Sequence, residues 1–450
     1  QTDVIVALDC DFLFDHPESV RLAREYAAGR RADDGRMNRL YAVESAWSIT
    51  GAVADHRHAV SPTLLPVVAA RLAAAVVSAL EGAIPSELRA FADTCVRFAS
   101  IPYEAQFVAP MAADLVAHRG RCVLLAGPRQ PAEVHAFVHA LNLLLGNRDH
   151  TVSYTLPEDE PALTGAPDPR VPARHASMRD LAEAMRAGQV ETLVILGGNP
   201  AYDAPVDLGF AALLADSSAV IRLGMYEDET TRARAKAGAD HASWHLPMAH
   251  YLESWGDVRA WDGTLSVVQP LIEPLYDGKT PAELLAMIVG DSPDRGYDLV
   301  RRTIAAARGV AGAVDPAFET AWRGLLEVGV LAGTARPAEA VAIDPGSLER
   351  ALGWYQPEVA GDGLEVLFAA DGSTWDGRFA NNGWLQELPD SLTKLTWDNA
   401  ALMSPQTAAR VGVKADDLVT LRLGGRELTL ATYVMPGVAP RTVVLPLGYG

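Results

Sequence analysis

Residues 122–131 read Cys122-Val123-Leu124-Leu125-Ala126-Gly127-Pro128-Arg129-Gln130-Pro131. The short apolar run closed by a glycine–proline turn predicts a buried strand, and the helical spacing after Pro131 runs to a stop at Leu145-Gly146-Asn147. The same order returns at 191–196, a strand followed by the turn Gly197-Gly198-Asn199-Pro200. Upstream, Val4–Leu8 and 38–43 are further apolar strands separated by the amphipathic Ser19–Ala28, and 219–223 is another. Strands that are apolar throughout and alternate with helical segments predict a parallel sheet covered on both faces. From residue 364 the character changes: 364–369, Leu418–Leu423, 427–433 and 442–447 read as short strands, with Gly424-Gly425 as a hairpin turn. The expected fold is therefore α/β: two doubly wound, mainly parallel domains followed by a small C-terminal β-barrel. The expected boundaries are 1–105, 106–290, a helical connector 291–363, and 364–450.

Composition excludes several classes. With 49% hydrophobic and 21% charged residues over 450 positions, the chain is globular, with room for about three domains of roughly 150 residues each. A net charge of −19 argues against wrapping nucleic acid or adhering to an anionic membrane. The most apolar stretch, 64–83, is broken by Arg71 and Glu81 and reads as a buried amphipathic helix rather than a bilayer span. Cys10, Cys95 and Cys122 are far apart, so this chain alone does not supply a four-cysteine iron–sulfur site. The chain starts at Gln1 directly before a strand and stops at Gly448-Tyr449-Gly450 directly after one, so it is expected to be the interior of a longer protein, its first domain incomplete and its last continuing beyond Gly450.

Two turns stand where α/β proteins hold ligands, at the carboxyl ends of strands: Gly127-Pro128-Arg129 and Gly197-Gly198-Asn199-Pro200. Glycine lets a backbone approach a phosphate, a following helix start offers free N–H groups, and Arg129 adds a charge-assisted contact. Neither turn matches a dinucleotide or P-loop signature, and the plainer reading is a tight connection that needs glycine for its geometry. His135 and His139, four residues apart, and His241, His245 and His250, within ten residues, have metal-compatible spacing. The first pair lacks a third ligand, and the second group, near Pro247, reads as an irregular packed loop. The acidic run Glu227-Asp228-Glu229 suits a cation or a partner's arginines, or more simply a solvated helix start. Cys10, between Asp9 and Asp11, is disfavoured as a reactive thiolate.

Several phrases together resemble the molybdopterin oxidoreductase family. They are Asn142-Leu143-Leu144-Leu145-Gly146-Asn147, Leu193-Val194-Ile195-Leu196-Gly197-Gly198-Asn199-Pro200, Asn382-Gly383-Trp384-Leu385-Gln386-Glu387-Leu388-Pro389, Lys394-Leu395-Thr396-Trp397-Asp398-Asn399 and Val434-Met435-Pro436-Gly437. Within that family, Met37-Asn38-Arg39-Leu40-Tyr41-Ala42-Val43-Glu44, Gly224-Met225-Tyr226-Glu227-Asp228-Glu229-Thr230 and Tyr251-Leu252-Glu253-Ser254-Trp255-Gly256-Asp257 resemble the molybdopterin-like half of the iron–sulfur subunit of alternative complex III, a bacterial quinol:electron-acceptor oxidoreductase. The resemblance covers nearly the whole chain and is weakest at 291–363.

That resemblance implies a region that keeps the fold without catalytic residues, metal ligands or a molybdenum cofactor, leaving Gly127, Arg129, Gly197, Gly198 and Asn199 as a vestigial pocket. It implies iron–sulfur clusters in sequence after Gly450, a multihaem cytochrome c subunit and a quinol-binding membrane subunit as partners, no nucleic acid, no membrane span of its own, and a peripheral place on the periplasmic side of the inner membrane. The alternative is the catalytic subunit of a true molybdopterin-guanine-dinucleotide enzyme, in which Arg129, Gly198 and Asn199 hold phosphates. A free-standing binding protein is the third class.

Overall fold

A computed structural model describes residues 2–31, 33, 35, 37–80, 82–101, 106–155, 178–235, 242–309, 316–341, 343–352 and 361–449. Residues 156–175 and His241 lie outside these residues.

Strands β1 (Val4–Leu8), β2 (Arg39–Glu44), β3 (His56–Ala59) and β4 (Cys122–Ala126) form a parallel sheet in the order β3-β2-β1-β4. Strands β5 (Thr192–Leu196), β6 (Ala219–Gly224) and β7 (Ala242–Pro247) form a second parallel sheet. Strands β8 (Gly256–Arg259), β9 (Leu265–Val268) and β10 (Val330–Leu331) are antiparallel. The last sheet is mixed, with β11 (Glu365–Ala369), β12 (Ala400–Met403), β13 (Leu418–Leu423), β14 (Arg426–Val434) and β15 (Thr442–Pro446) in the order β11-β15-β12-β14-β13. It curls into a half-barrel. The end strands β11 and β13 do not pair with each other, so the closed barrel expected from the sequence is corrected to an open sheet.

The chain divides into two compact units: Gln1–Tyr154 with Ala340–Gly450, and Thr155–Glu339. This differs from boundaries at 105, 290 and 363. Strand β4 pairs with β1 from Val4–Cys122 to Leu8–Ala126, so the strand read as opening the second domain completes the first sheet. A strand apolar on both faces signals burial but not which parallel neighbour it takes.

In the first unit, alternation along β1 explains the two-sided packing. Val4, Val6 and Leu8 enter one core with helices Leu65–Ala79, Val108–Ala117 and Ala132–Leu144, while Ile5 and Ala7 join Leu40 and Phe12 in a second, against Leu22 and Tyr26. The segment Pro62–Ala79 is long and apolar enough to cross a membrane by length and composition. Its helix buries ten of fifteen residues and is enclosed on nearly every side, rather than on the single face expected. Its alanines let neighbouring helices approach closely, and each fully buried Leu or Val there contributes about 1.5–3 kcal/mol.

In the second unit, β5 and β6 pack on helix Phe210–Asp216 through Ile195, Phe210, Leu214 and Val220. Helices Gly296–Ala307 and Pro316–Val328, expected in a connector, instead form a core with β9 through Val267, Ile304, Phe318 and Trp322. The stretch around His245 is strand β7, paired to β6, rather than an irregular loop. As an edge strand it leaves Trp244 exposed, which removed the continuous apolar signature.

The half-barrel is fixed on the carboxyl edge of the first sheet. The Ala439 N–H donates to Ser45 O at 2.9 Å, and Thr63 donates from N and Oγ1 to Glu365 Oε2 at 2.8 and 2.7 Å. Gly437, at φ 98°, passes against Trp47; a Cβ there would sit 2.9 Å from the indole. The turn Gly424-Gly425 has φ of 57° and 77°, the doubly left-handed geometry of a two-residue hairpin.

Candidate functional site

Strand order reverses between β1 and β4: the chain leaves β1 toward β2 and β3, and β4 lies on the other side. Ligand crevices of open α/β sheets form at such a switch point, at the carboxyl ends of the strands. Asp9-Cys10-Asp11 follows β1 and Gly127-Pro128-Arg129 follows β4, so the sequence placed the first turn at the correct edge.

The geometry there is set by close backbone contact. The Gly127 N–H donates to Leu8 O at 2.9 Å, and a Cβ on Gly127 would fall 1.7 Å from the Asp9 carbonyl oxygen. This glycine seats the neighbouring strand end. Asp9 has φ 50°, which aims its carboxylate across the switch point. Arg129 donates from Nε to Asp9 Oδ2 at 3.1 Å and from Nη2 to Oδ1 at 2.9 Å; Gln130 Nε2 adds a bond to Oδ2 at 3.0 Å. The Asp9 side chain is 4% exposed and that of Arg129 35%. The guanidinium expected to clamp a phosphate is thus held in a bidentate pair with a buried internal carboxylate.

Around this pair lies a cavity of about 190 Å³, walled by the carboxyl edge of the first sheet and by loops of the half-barrel. Asp11 accepts from Thr50 N and Oγ1 at 2.9 and 2.7 Å, capping the short helix Ile49–Ala52. Behind the wall, Glu44 is buried against Arg57 (Nε–Oε1 2.6 Å) and Ser48; burial outweighs these partners and raises its carboxyl above the usual range. Arg57 lies 5.5 Å over the ring of Trp47, which lines the cavity. Gly448, at φ 115°, brings Tyr449 to the wall; a Cβ there would meet Thr374 Oγ1.

Cys10 also lines the cavity. Burial first, then the carboxylates of Asp11 and Asp9, pushes its thiol up to about 12. Burial likewise raises Cys122 to about 11 and lifts Cys95 still further. None of the three cysteines is a thiolate near neutral pH in the folded chain. Titration with an aromatic disulfide at pH 8 is expected to show no fast-reacting thiol in the native protein and three in denaturant. A fast native thiol mapping to Cys10 would contradict this environment.

The second turn follows β5. Gly197 and Gly198 take φ of 76° and 72°, and Asn199 precedes a helix of only four residues, Pro200–Asp203. The Asn199 side chain is engaged: Oδ1 accepts from Thr230 N (3.1 Å) and Oγ1 (2.7 Å), and Nδ2 donates to Glu229 Oε2 at 2.8 Å. Gly198 O accepts from Arg222, a buried guanidinium paired with Asp228. Within the acidic run Asp228 neutralises Arg222, while Glu227 and Glu229 are exposed at the start of helix Glu229–Ala235, where the bond from Asn199 holds Glu229 below the usual carboxylate range.

Three of the candidate histidines are engaged in hydrogen bonds within the chain. His139 Nδ1 lies 3.0 Å from Tyr154 OH, His245 Nδ1 is 3.1 Å from Thr231 Oγ1, and His250 Nδ1 accepts from Leu252 N at 3.2 Å. Among the described residues no group of three His, Cys, Asp or Glu side chains forms a metal site.

Sequence reading missed most of the cavity wall. Asp371 accepts from Ser373 N, Thr374 N and Thr374 Oγ1, and Asp390 from Leu392 N, Thr393 N and Thr393 Oγ1. The repeated Asp-x-x-Thr was the one local signal available for these turns.

No family model matches the chain. Over 69 residues it is 36% identical to the thiosulfate reductase molybdopterin-containing subunit PhsA of Salmonella typhimurium, a match spanning 15% of this chain and 9% of that subunit. Its fold superposes on acetylene hydratase from Pelobacter acetylenicus with a TM-score of 0.69 and 14% identity, covering 99% of this chain and 70% of that one. The two likenesses together support a molybdopterin oxidoreductase-like fold for this chain.

At both turns the side chains expected to hold an anionic dinucleotide are engaged within the chain. A pyrophosphate needs uncommitted donors, and here Arg129 is held by Asp9, Asn199 by Thr230 and Glu229, and Arg222 by Asp228.

Proposed function

We propose that this chain is a non-catalytic, molybdopterin oxidoreductase-like scaffold region of the iron–sulfur electron-transfer subunit of a membrane-associated quinol:cytochrome c (or oxidase) oxidoreductase complex. The observation that carries this reading is the engagement of both phosphate-candidate turns by internal acidic and hydroxyl groups, with the bidentate Arg129–Asp9 pair at the switch point. A fold keeps its shape without its cofactor when its sheets bury their own strands, as β1 and β4 do here. On this reading the region positions a cluster-bearing half, following Gly450 in the full-length subunit, against a multihaem cytochrome c subunit and a quinol-binding membrane subunit on the periplasmic face. Its contribution is shape and surface, and the electrons pass through its neighbours.

A second reading, the catalytic subunit of a molybdopterin-guanine-dinucleotide oxidoreductase, is favoured by the local match to a subunit whose name records that it contains molybdopterin. Elemental analysis for molybdenum and fluorescence detection of oxidised pterin, on the full-length subunit purified from its native host, separate the two. The scaffold reading expects neither above background. One equivalent of molybdenum with pterin overturns it in favour of the enzyme.

A further inference from the structure

We propose that the cavity at the β1/β4 switch point takes an organic cation, an ammonium or amidinium head on a short apolar or aromatic stem, and rejects the phosphate-bearing anion that its position in the fold suggests.

The misfit with an anion extends to the whole wall. Six aspartates line it, Asp9, Asp11, Asp15, Asp371, Asp390 and Asp398, against two basic side chains, Arg129 and His16. Arg129 is neutralised by Asp9, and burial holds the His16 imidazole below its usual range, so it is uncharged near neutral pH. An anion entering here meets net repulsion in a partly desolvated space, where Coulomb interactions are stronger than in water. The crowding is visible in Asp15, whose carboxyl is raised by burial first and by Asp11 second.

Two of the carboxylates are preorganised. Main-chain N–H groups and threonine hydroxyls fix Asp371 and Asp390 through Oδ1 at 2.6–3.1 Å, and among the described residues the second oxygen of each accepts no hydrogen bond. Acceptors already held in place bind a donor with little further ordering cost. Four aromatic side chains share the wall, Phe14, Trp47, Trp375 and Tyr449, among aliphatic residues such as Ile49 and Val444. Rings beside carboxylates favour a cationic head with an apolar stem, through cation–π attraction and apolar burial together. The cavity volume, about 190 Å³, accommodates a single ring with one charged head. This inference stands apart from the scaffold reading, which the pterin assay decides independently.

The test is a series of one shape and three charges, benzamidine, benzamide and benzoate, titrated into the whole chain by calorimetry and by tryptophan fluorescence, with inorganic phosphate as a further arm. Benzamidine is expected to bind at least about tenfold more tightly than benzamide, the size of one charge-assisted contact, with benzoate and phosphate weaker still. Asp371→Asn and Asp390→Asn keep the oxygen that holds each turn and remove the charge. Each is expected to weaken benzamidine about fivefold to tenfold without changing the far-UV spectrum or Tm appreciably. Absence of benzamidine binding overturns the proposal, as does benzoate or phosphate binding as tightly as benzamidine. Benzamidine affinity unchanged in both folded variants overturns it equally, and because the two aspartates sit on separate loops, either variant suffices if the other does not fold.

Discussion

Arg129→Ala is expected to cost about 3–5 kcal/mol of unfolding free energy, the range for breaking a buried ion pair by removing one partner. Asp9→Asn is expected to cost only about 1–2 kcal/mol, because a neutral amide still accepts one hydrogen bond. The asymmetry follows from position. The Asp9 carboxylate is 4% exposed and receives three donors, two from Arg129 and one from Gln130. Without Arg129 it loses its cationic partner in a wall that already holds five other aspartates. Arg129 is 35% exposed, so without Asp9 its guanidinium turns toward water. The double variant Asp9→Asn/Arg129→Gln is expected to be more stable than Arg129→Ala alone, a coupling typical of groups in direct contact. Urea unfolding with an unchanged m value measures all three. Equal costs for the two single changes, or less than about 1 kcal/mol for Arg129→Ala, would mean that the pair is a surface ornament.

The same pair shows what a sequence does and does not disclose. β1, β4 and β6 were legible because strands packed on both faces carry continuous apolar runs, and the hairpin at Gly424-Gly425 because only glycine takes two left-handed positions cheaply. β12 was not: Ala400-Ala401-Leu402-Met403 is short and lacks β-branched residues, yet it is the central strand of the half-barrel, where burial overrides propensity. β8 escaped notice because Gly256-Asp257-Val258-Arg259 is polar and sits at a sheet edge. For the site, local chemistry located Gly127 and Arg129 at the end of a strand, and the plainer reading of Gly127, a turn that needs glycine for packing, is the one the geometry supports. The partner of Arg129 lies 120 residues upstream, and Asp371, Asp390 and Tyr449 arrive from the other end of the chain. Spacing encodes neighbours along a helix or strand, and a wall assembled from such distant segments leaves no trace in it.

Arg234 is where an unremarkable position in the sequence becomes the basis of the second large effect. It lies on helix Glu229–Ala235, is 4% exposed, and donates to five carbonyls: Leu214 (3.1 Å), Ala215 (3.3 Å), Ser217 (2.6 Å), Ser218 (3.3 Å) and Ala242 (3.0 Å). Four of these belong to the end of helix Phe210–Asp216 and the turn into β6, and the fifth opens β7. The last carbonyls of a helix have no partner within it, and a cation at that end meets the negative pole of its dipole. One guanidinium therefore satisfies the helix end and ties it to two adjacent parallel strands. Arg234→Ala strands these acceptors in a buried setting, and the expected loss is about 3–5 kcal/mol, as for removal of a buried charged donor. Arg234→Lys is expected to recover less than half of that, since a single ammonium nitrogen cannot span carbonyls that a planar fork reaches from two nitrogens. Hydrogen exchange at β6 and β7 locates the effect: their amides should lose protection in both variants, while those of β1 and β4, in the other unit, keep it. Full rescue by lysine would show that charge alone, and not the reach of the fork, holds this corner together.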